Sequence, residues 1–218
     1  MEAYLQLFLK SIKSDMVSPG KCVTVAFTAS RPKEGVTFVV ESFAAEIAKR
    51  TRRRVLVADS AELQLAYIDH PSQVASQISK TDQQNLYVLT PRDADHAPVE
   101  RVEASAGRMQ VRGASFQPEA LAVRGREAKL ERGILNLQVL RHSFDFILID
   151  CSSLAASGDA AMLAPSVEGV VMVVEADVTR KDQVRNSINT IKSADGNFLG
   201  CVLNKRTFTV PGWLYNRF

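Results

Sequence analysis

Six short apolar runs recur along the chain, and segments with helical periodicity separate them. The runs are rich in valine, isoleucine, leucine and phenylalanine, and most are apolar throughout instead of alternating with polar residues. Strands of this type are covered by helices on both faces of a sheet. The predicted strands are Cys22–Thr28, Arg54–Asp59, Asn85–Leu89, Phe144–Asp150, Gly169–Glu175 and Phe198–Leu203.

Helical patterns lie between these strands. Strands that alternate with helices imply right-handed crossovers and a mainly parallel sheet, so we predict a three-layer α/β fold. With 218 residues, the chain is expected to form a single domain over residues 1–218. The predicted helices are Val36–Lys49, part of Ala61–Ser79, Pro118–His142, Gly158–Ala164 and Arg180–Ala194, with a leading helix over residues 2–14.

The stretch around residues 91–116 is the least regular part of the chain. It is charged and lacks apolar periodicity, which predicts a variable surface loop. The helix that follows contains Gly125 and Gly133, each of which costs about 1 kcal/mol relative to alanine. We therefore expect that helix to be broken or irregular.

Composition narrows the possible functions only slightly. The chain is 46% hydrophobic and 23% charged, as in ordinary globular proteins, and its net charge of +3 does not by itself indicate nucleic-acid binding. No run reaches the roughly 18 apolar residues of a membrane span, and the first residues lack a signal-peptide layout. Cys22, Cys151 and Cys201 are expected to be buried free thiols in a reducing compartment. These features favour a cytoplasmic protein that associates with a membrane only through a partner.

Five cations are concentrated in the six residues from Lys49 to Arg54, directly before the second strand. The simpler interpretation is a solvated helix end whose cations complement the helix dipole. The alternative is a patch that binds phosphate, a membrane surface or an acidic partner.

The loop after the first strand is the main candidate for chemistry. A strand, a short loop and a helix are the setting of the phosphate-binding motif G-x-x-x-x-G-K-[ST], whose amides and helix N-terminus face an anion. Gly35 and Thr37 match the motif, while Ser30 replaces its first glycine and Val36 replaces its lysine. A valine cannot balance phosphate charge. The candidate nucleotide-binding residues are Ser30, Arg31, Lys33, Glu34, Gly35, Val36, Thr37 and Asn204.

Polar residues also close three other strands. Asp59 ends VLVAD, Asp150 ends FDFILID in the manner of a Walker B strand, and Asn204 follows CVL, where its amide is suited to a base edge. Ligands of open parallel sheets bind outside these carboxyl ends. Thr37, Asp59 and Asp150 are therefore the candidate Mg²⁺ ligands, and the two aspartates are the candidate catalytic residues in vestigial or weak form. The competing role for each aspartate is a turn or a helix cap.

In this order the motifs resemble those of the ParA/MinD-type P-loop ATPases, and within them the CpsD/CapB-like bacterial tyrosine autokinases of capsule and exopolysaccharide pathways. The resemblance covers nearly the whole chain and is poorest between Leu65 and Leu130. It implies a P-loop NTPase fold with ATP and Mg²⁺ as ligands. The matching segments are TASRPKEGVTF, similar to the family's TSARPGEGKST; VLVADSAEL, similar to VLLVDADLR; FDFILIDCSS, similar to FDYVIIDTPP; VEGVVMVVEADVTR; and CVLNKRTFTVPGWLYNRF.

The departures from the family pattern are concentrated in the reacting groups. Val36 stands in the place of the loop lysine and Lys33 in the place of a glycine. In the second motif, Ala61 and Leu63 replace an aspartate and an arginine. The chain also ends without the family's tyrosine-rich tail.

The leading helix departs from the family as well. The resemblance places Glu2, Leu5 and Phe8 at a partner or oligomer interface, where the family keeps an acidic residue and two arginines. Together the departures predict a catalytically degenerate, kinase-like subunit of polysaccharide biosynthesis and export. Its expected partners are an inner-membrane co-polymerase or chain-length protein and further copies of itself, without nucleic acid, and its ATP or ADP with Mg²⁺ is expected to bind weakly or not at all.

Two alternatives stay open from the sequence. One is an active ATP-dependent tyrosine autokinase or ATPase in which Arg31 or Lys33 supplies the loop cation. The other is a MinD-like or ParA-like positioning protein, or an accessory protein of cellulose synthesis.

Overall fold

The computed structural model describes residues 21–66, 71–90 and 118–206, without the side chains of residues 71–72 and 118–127. Over these residues the chain forms a seven-stranded sheet with the order β3-β4-β2-β5-β1-β6-β7. All neighbouring strands are parallel except the edge pair β3–β4, which confirms the mainly parallel sheet. The strands are β1 Val23–Ala29, β2 Val55–Asp59, β3 Ile78–Lys80, β4 Leu86–Leu89, β5 Phe146–Asp150, β6 Gly169–Glu175 and β7 Phe198–Asn204.

Helices cover both faces of this sheet. Short 3₁₀ segments at Pro71–Ser76 and Ala164–Ser166 complete the regular structure of the described residues. None of the helices in these ranges is long and apolar enough to cross a membrane. The helices are α1 Val36–Thr51, α2 Ser60–Leu65, α3 Pro118–Leu140, α4 Asp159–Leu163 and α5 Lys181–Ser193.

The central strands are buried on both faces, which explains their uninterrupted apolar runs. On one face, α1 packs against β1, and Phe43 meets Phe27 edge to face with a ring-centroid distance of 5.7 Å. On the other face, Ile147 and Met172 lie in a second apolar cluster beneath α2 to α5. All seven residues of β1 are buried, so its position and direction are fixed by two cores at once.

The prediction that Gly125 and Gly133 break the third helix was wrong, because α3 runs without interruption from Pro118 to Leu140. At Gly133, α2 comes close: an added Cβ would lie 3.2 Å from Cγ and 3.7 Å from Cα of Gln64. The glycine therefore permits close packing of two helices. Three residues later, the buried Asn136 amide donates to the carbonyls of Leu63 and Ala66 at 2.8 Å each, and so caps the end of α2.

The remaining expectations are confirmed, corrected or outside the described residues. Part of the segment Ala61–Ser79 is helical as predicted, in α2, while strand β3 begins at its end; the three residues of β3 are too few to display a period. Cys22 and Cys151 are buried free thiols as predicted, whereas Cys201 is exposed. The predicted helix over residues 2–14, with Glu2, Leu5 and Phe8, and the loop over 91–116 lie outside the described residues.

Candidate functional site

A cleft of about 330 Å³ opens at the carboxyl ends of β1, β2 and β5. Parallel register brings the two strand-end carboxylates together, because Asp59 of β2 lies directly opposite Asp150 of β5. The chain after β5 runs alongside the end of β1, where the amide of Leu154 donates to the carbonyl of Ala29 at 2.9 Å. The cleft is lined by Arg31, Pro32, Lys33, Glu34, Gly35, Val36, Thr37, Asp59, Asp150, Cys151, Ser152, Ser153 and Ala156.

The loop between β1 and α1 has the backbone that a phosphate loop requires. Lys33 and Gly35 adopt left-handed conformations with φ of 69° and 88°. Gly35 precedes α1 without a capping side chain, so the first amides of the helix are not occupied by a cap. A side chain at Gly35 is excluded twice, by its positive φ and by the Asn204 Nδ2 atom, which would lie 2.3 Å from an added Cβ.

Strand β7 supports this loop. The Asn204 amide donates to the carbonyl of Glu34 at 2.9 Å, and Lys205 Nζ donates to the carbonyl of Lys33 at 2.5 Å. Lys205 also pairs with Glu175 at 3.3 Å, which ties the loop to β6. Asn204 does not line the cleft, so its observed contact is with the loop, and its predicted contact with a base stays a prediction.

Glu34 has a role that the sequence did not reveal. Its buried carboxylate accepts hydrogen bonds from the amides of Ser30 at 2.9 Å and Arg31 at 3.1 Å. The other oxygen accepts from the Thr179 hydroxyl. The amides of Ser30 and Arg31 were expected to face a bound anion, but they donate to the Glu34 carboxylate instead. Ser30 is turned away from the cleft, with its hydroxyl 3.4 Å from Sδ of Met172.

Asp59 caps a helix, as the competing interpretation of strand-end aspartates expected. Its Oδ1 accepts hydrogen bonds from the amides of Ala61 at 2.7 Å and Glu62 at 3.3 Å, at the start of α2. The residue is exposed and still lines the cleft. Burial, aided by the negative charge of Asp59, raises the pKa of Glu62. One carboxylate oxygen of Asp59, Oδ1, therefore caps the N-terminus of α2.

Asp150 is a half-buried carboxylate. Burial raises its pKa, a hydrogen bond from the Thr37 side chain opposes that rise, and the charges of Asp59 and Glu41 reinforce it. One hydroxyl and two carboxylates form a hard oxygen set that suits Mg²⁺, which commonly retains waters and phosphate oxygens as further ligands. Thr37 and Asp150 are the pair that fits this role best, since they already touch. No group of three or more metal-binding side chains occurs within the described ranges.

The position of the motif lysine is apolar. Val36 lies in the first turn of α1, half-buried at the wall of the cleft. Arg31 and Lys33 line the same cleft with exposed side chains. Ser153 also lines the cleft; it is 6% exposed, and its hydroxyl has no hydrogen-bond partner among the residues that the structure describes. The cleft thus gathers the predicted residues except Ser30, which is buried behind it, and Asn204.

Comparison with known proteins supports the same family as the motifs. No family model matches the chain. It is 29% identical to the tyrosine-protein kinase CpsD of Streptococcus agalactiae over 69 residues, 32% of this chain and 30% of CpsD. It is 24% identical to the succinoglycan biosynthesis transport protein ExoP of Rhizobium meliloti over 204 residues, 87% of this chain and 23% of ExoP. The chain therefore spans less than a third of the length of either relative.

Solved structures agree with the fold. The kinase domain of the Escherichia coli tyrosine kinase ETK matches with a TM-score of 0.60 at 18% identity, over 96% of this chain and 76% of that domain. The septum site-determining protein MinD of Pyrococcus horikoshii, complexed with Mg-ADP, matches with a TM-score of 0.55 at 18% identity, over 88% and 75%. These likenesses confirm the predicted ParA/MinD-type P-loop fold.

Proposed function

We propose that this chain, a member of the bacterial tyrosine kinase family, is a catalytically degenerate kinase-like subunit of exopolysaccharide or capsule export. It acts by binding a membrane co-polymerase or chain-length partner instead of by phosphoryl transfer. CpsD is by its name a tyrosine kinase and ExoP a polysaccharide transport protein, which supports this setting.

The observation that carries the proposal is Val36 in the first turn of α1, at the wall of the cleft. Phosphoryl transfer depends on positioning and on neutralising charge as it develops on the phosphoryl oxygens. Without a lysine at this point, transition-state stabilisation falls by roughly several kcal/mol. Asp59 and Asp150, which lie opposite each other in register, both match aspartates of the family's motifs, so the charge that is missing from the cleft is that of the loop lysine.

Glu34 occupies the place of a glutamate in the family's loop, TSARPGEGKST, so its hold on the amides of Ser30 and Arg31 does not by itself weaken nucleotide binding. If nucleotide binds, the amides of Gly35 to Thr37 are left to hold its phosphates. Thr37 and Asp150 are then placed to bind Mg²⁺, which would supply the charge neutralisation that Val36 lacks.

The test is calorimetric titration with Mg-ATP beside a phosphate-release assay. We expect weak or undetectable binding and no turnover from the unaltered protein, and tighter Mg-ATP binding from Val36→Lys. Val36→Leu is the matched control, since it changes size without adding charge, and should behave as the unaltered protein. Turnover comparable to that of an intact P-loop ATPase would refute the loss of catalysis. Failure of Val36→Lys to improve binding would show that the pocket itself has been remodelled.

The partner is tested separately. Co-purification of the chain with a membrane co-polymerase is expected, with or without nucleotide. If the chain is instead recovered with division-site or chromosome-positioning proteins, the polysaccharide assignment is wrong while the degenerate site can still stand.

An active enzyme is the second candidate, because Arg31 and Lys33 both line the cleft with exposed side chains. A flexible loop cation must be ordered for each turnover, so it is a weaker substitute for a lysine fixed on a helix. If turnover is found, Arg31→Gln or Lys33→Gln should abolish it. Turnover that survives both substitutions would exclude this candidate.

A further inference from the structure

We propose that the chain docks on an anionic phospholipid surface through a basic edge formed by Lys49, Arg52 and Arg53. These residues lie where α1 ends at Thr51 and the chain turns into β2 at Val55. The amino end of β2 lies at this edge, whereas the cleft lies at the carboxyl ends of the strands. A surface bound here leaves the cleft open, so the proposal does not depend on nucleotide or on the proposed kinase-like role.

Two of the five cations in this segment are neutralised within the described structure. Arg50 pairs with Glu46 one helical turn earlier, and Arg54 lies 4.0 Å from a carboxylate oxygen of Asp145, which also accepts the Arg54 amide at 2.9 Å. Isolated surface pairs of this kind contribute little to stability but cancel charge locally.

The remaining three have no such partners. Lys49, Arg52 and Arg53 form no ion pair within residues 21–66, 71–90 and 118–206. Lys49 and Arg52 are exposed, and Arg53 is half-buried. Among the described residues, three charges without an ion-pair partner therefore lie within five residues at one edge of the sheet, where they form a local positive patch.

Capping of α1 does not require these side chains. Within the described residues, the recorded hydrogen bonds to carbonyls near the helix end and in the following turn come from backbone amides and from other side chains, and none comes from the side chain of Lys49, Arg52 or Arg53. Those hydrogen bonds are Gln83 Nε2 to Ala45 O at 2.5 Å, Thr51 Oγ1 to Ile47 O at 2.7 Å, Arg52 N to Ala48 O at 3.1 Å and Asn85 Nδ2 to Arg52 O at 3.2 Å.

The chemistry of the surroundings favours lipid headgroups over a protein. A shallow depression of about 470 Å³ adjoins the basic edge, and its lining contains no large apolar side chain. Protein partners usually need a desolvated aromatic or aliphatic anchor at the centre of the interface. Anionic lipids bind clustered lysine and arginine through charge alone. The depression is lined by Ala45, Glu46, Ala48, Lys49, Arg52, Gln83, Gln84 and Asn85.

The test measures binding of the full chain to vesicles by co-sedimentation. We expect binding to phosphatidylcholine vesicles that contain phosphatidylserine, none to phosphatidylcholine alone, and loss of binding as salt shortens the Debye length. A variant with Lys49→Gln, Arg52→Asn and Arg53→Gln should bind on the order of 100-fold more weakly. Asparagine is chosen at Arg52 because its φ is 55°, a left-handed conformation that asparagine tolerates.

The matched control removes the same charge elsewhere, through Lys129→Gln, Lys181→Gln and Arg185→Gln on exposed positions of α3 and α5. It should retain binding within about threefold of the unaltered chain, since charges beyond a Debye length from the surface are screened. If the triple variant does not fold, the single substitution Lys49→Gln, at an exposed position, replaces it in the test. This variant should bind vesicles roughly fivefold more weakly than the unaltered chain.

Three results would overturn the proposal. Equal binding to neutral and anionic vesicles would remove the electrostatic basis, and an equal loss in the control variant would show an effect of net charge only. Tighter binding to polyglutamate or duplex DNA than to vesicles, lost in the same triple variant, would assign the basic edge to a protein or nucleic-acid partner.

Discussion

Glu34 and Thr179, which lie 145 positions apart in the chain, are joined by a hydrogen bond from the hydroxyl to the buried carboxylate. The same carboxylate holds two amides of the loop after β1. Thr179 lies just before α5, so one side chain connects the loop to the β6–α5 connection. The loop therefore has a fixed internal anion.

Removing the charge of Glu34 should destabilise the fold. In Glu34→Gln the carboxamide can still accept at one atom, but its amino group faces donors that then lose their acceptor. We expect a loss of about 1–3 kcal/mol in the free energy of unfolding, measured in urea. Glu41→Gln, at an exposed position of α1, is the control and should change stability by less than about 0.5 kcal/mol.

The coupling of Glu34 to Thr179 can be measured directly. Thr179→Val and the double variant complete a cycle in which the two losses should not add, because both substitutions break the same contact. Additive losses would mean that the two side chains act independently and that the connection is not structural.

Gly35 should tolerate no side chain. Gly35→Ala combines a left-handed backbone with a Cβ 2.3 Å from Asn204 Nδ2, and should cost about 2 kcal/mol or more. Asn204→Ala in the same chain removes the clash but not the unfavourable φ, so stability should recover only in part. Gly158→Ala is the control: its φ is −87°, and no atom lies within 4 Å of the added Cβ. Thermal unfolding of the four proteins distinguishes these outcomes.

The charge of Asp150 should oppose folding. Folding raises the pKa of this carboxyl above the ordinary 3.8, mainly through burial, so the native state favours the protonated form. The stability gained from protonation is complete below the unfolded pKa and is lost as pH rises through the higher folded pKa. Asp150→Asn removes the titration, so its stability relative to the unaltered chain should increase with pH across that interval.

Thr37 gives a second measurement of the same group. Its hydrogen bond lowers the pKa of Asp150, so Thr37→Val should shift the pH at which stability is lost to a higher value. Unfolding free energies measured between about pH 3 and pH 7 check both variants. Identical pH profiles in all three proteins would show that Asp150 does not titrate differently on folding.

The three cysteines should differ in reactivity. Burial raises the pKa of all three thiols, that of Cys22 to about 12, but Cys201 is exposed whereas Cys22 and Cys151 are buried. A thiol reagent applied to the native chain should therefore modify Cys201 first and the other two only on unfolding. Cys201→Ser should abolish the early reaction. Rapid modification of a second thiol in the native state would contradict the packing of β1 or β5.

Apolar runs determined most of the fold directly. Strand β6 occupies the predicted Gly169–Glu175, and the other predicted strands differ from the observed ones by at most two residues at each end. Parallel pairing then brings Asp59 and Asp150 together at the sheet's carboxyl edge. The phosphate-loop match predicted the turn at Gly35 for the same reason, since strand, loop and helix are consecutive in the chain and their chemistry is local.

Other features depended on parts of the chain that meet only after folding. The close approach of Gln64 gives Gly133 a packing role within the unbroken α3. Strand β7 uses Asn204 to support the loop, although its sequence equally suited a contact with a base. In the sequence, nothing distinguishes Glu34 from the other loop residues. In the structure, its carboxylate accepts hydrogen bonds from the Thr179 hydroxyl and from loop amides. Sequence by itself indicated that Asp59, Asp150 and the loop before α1 lie at the cleft, because strand ends are local features. Only the tertiary structure decided which of them bind the protein instead of a ligand, because hydrogen-bond partners distant in sequence are set by packing.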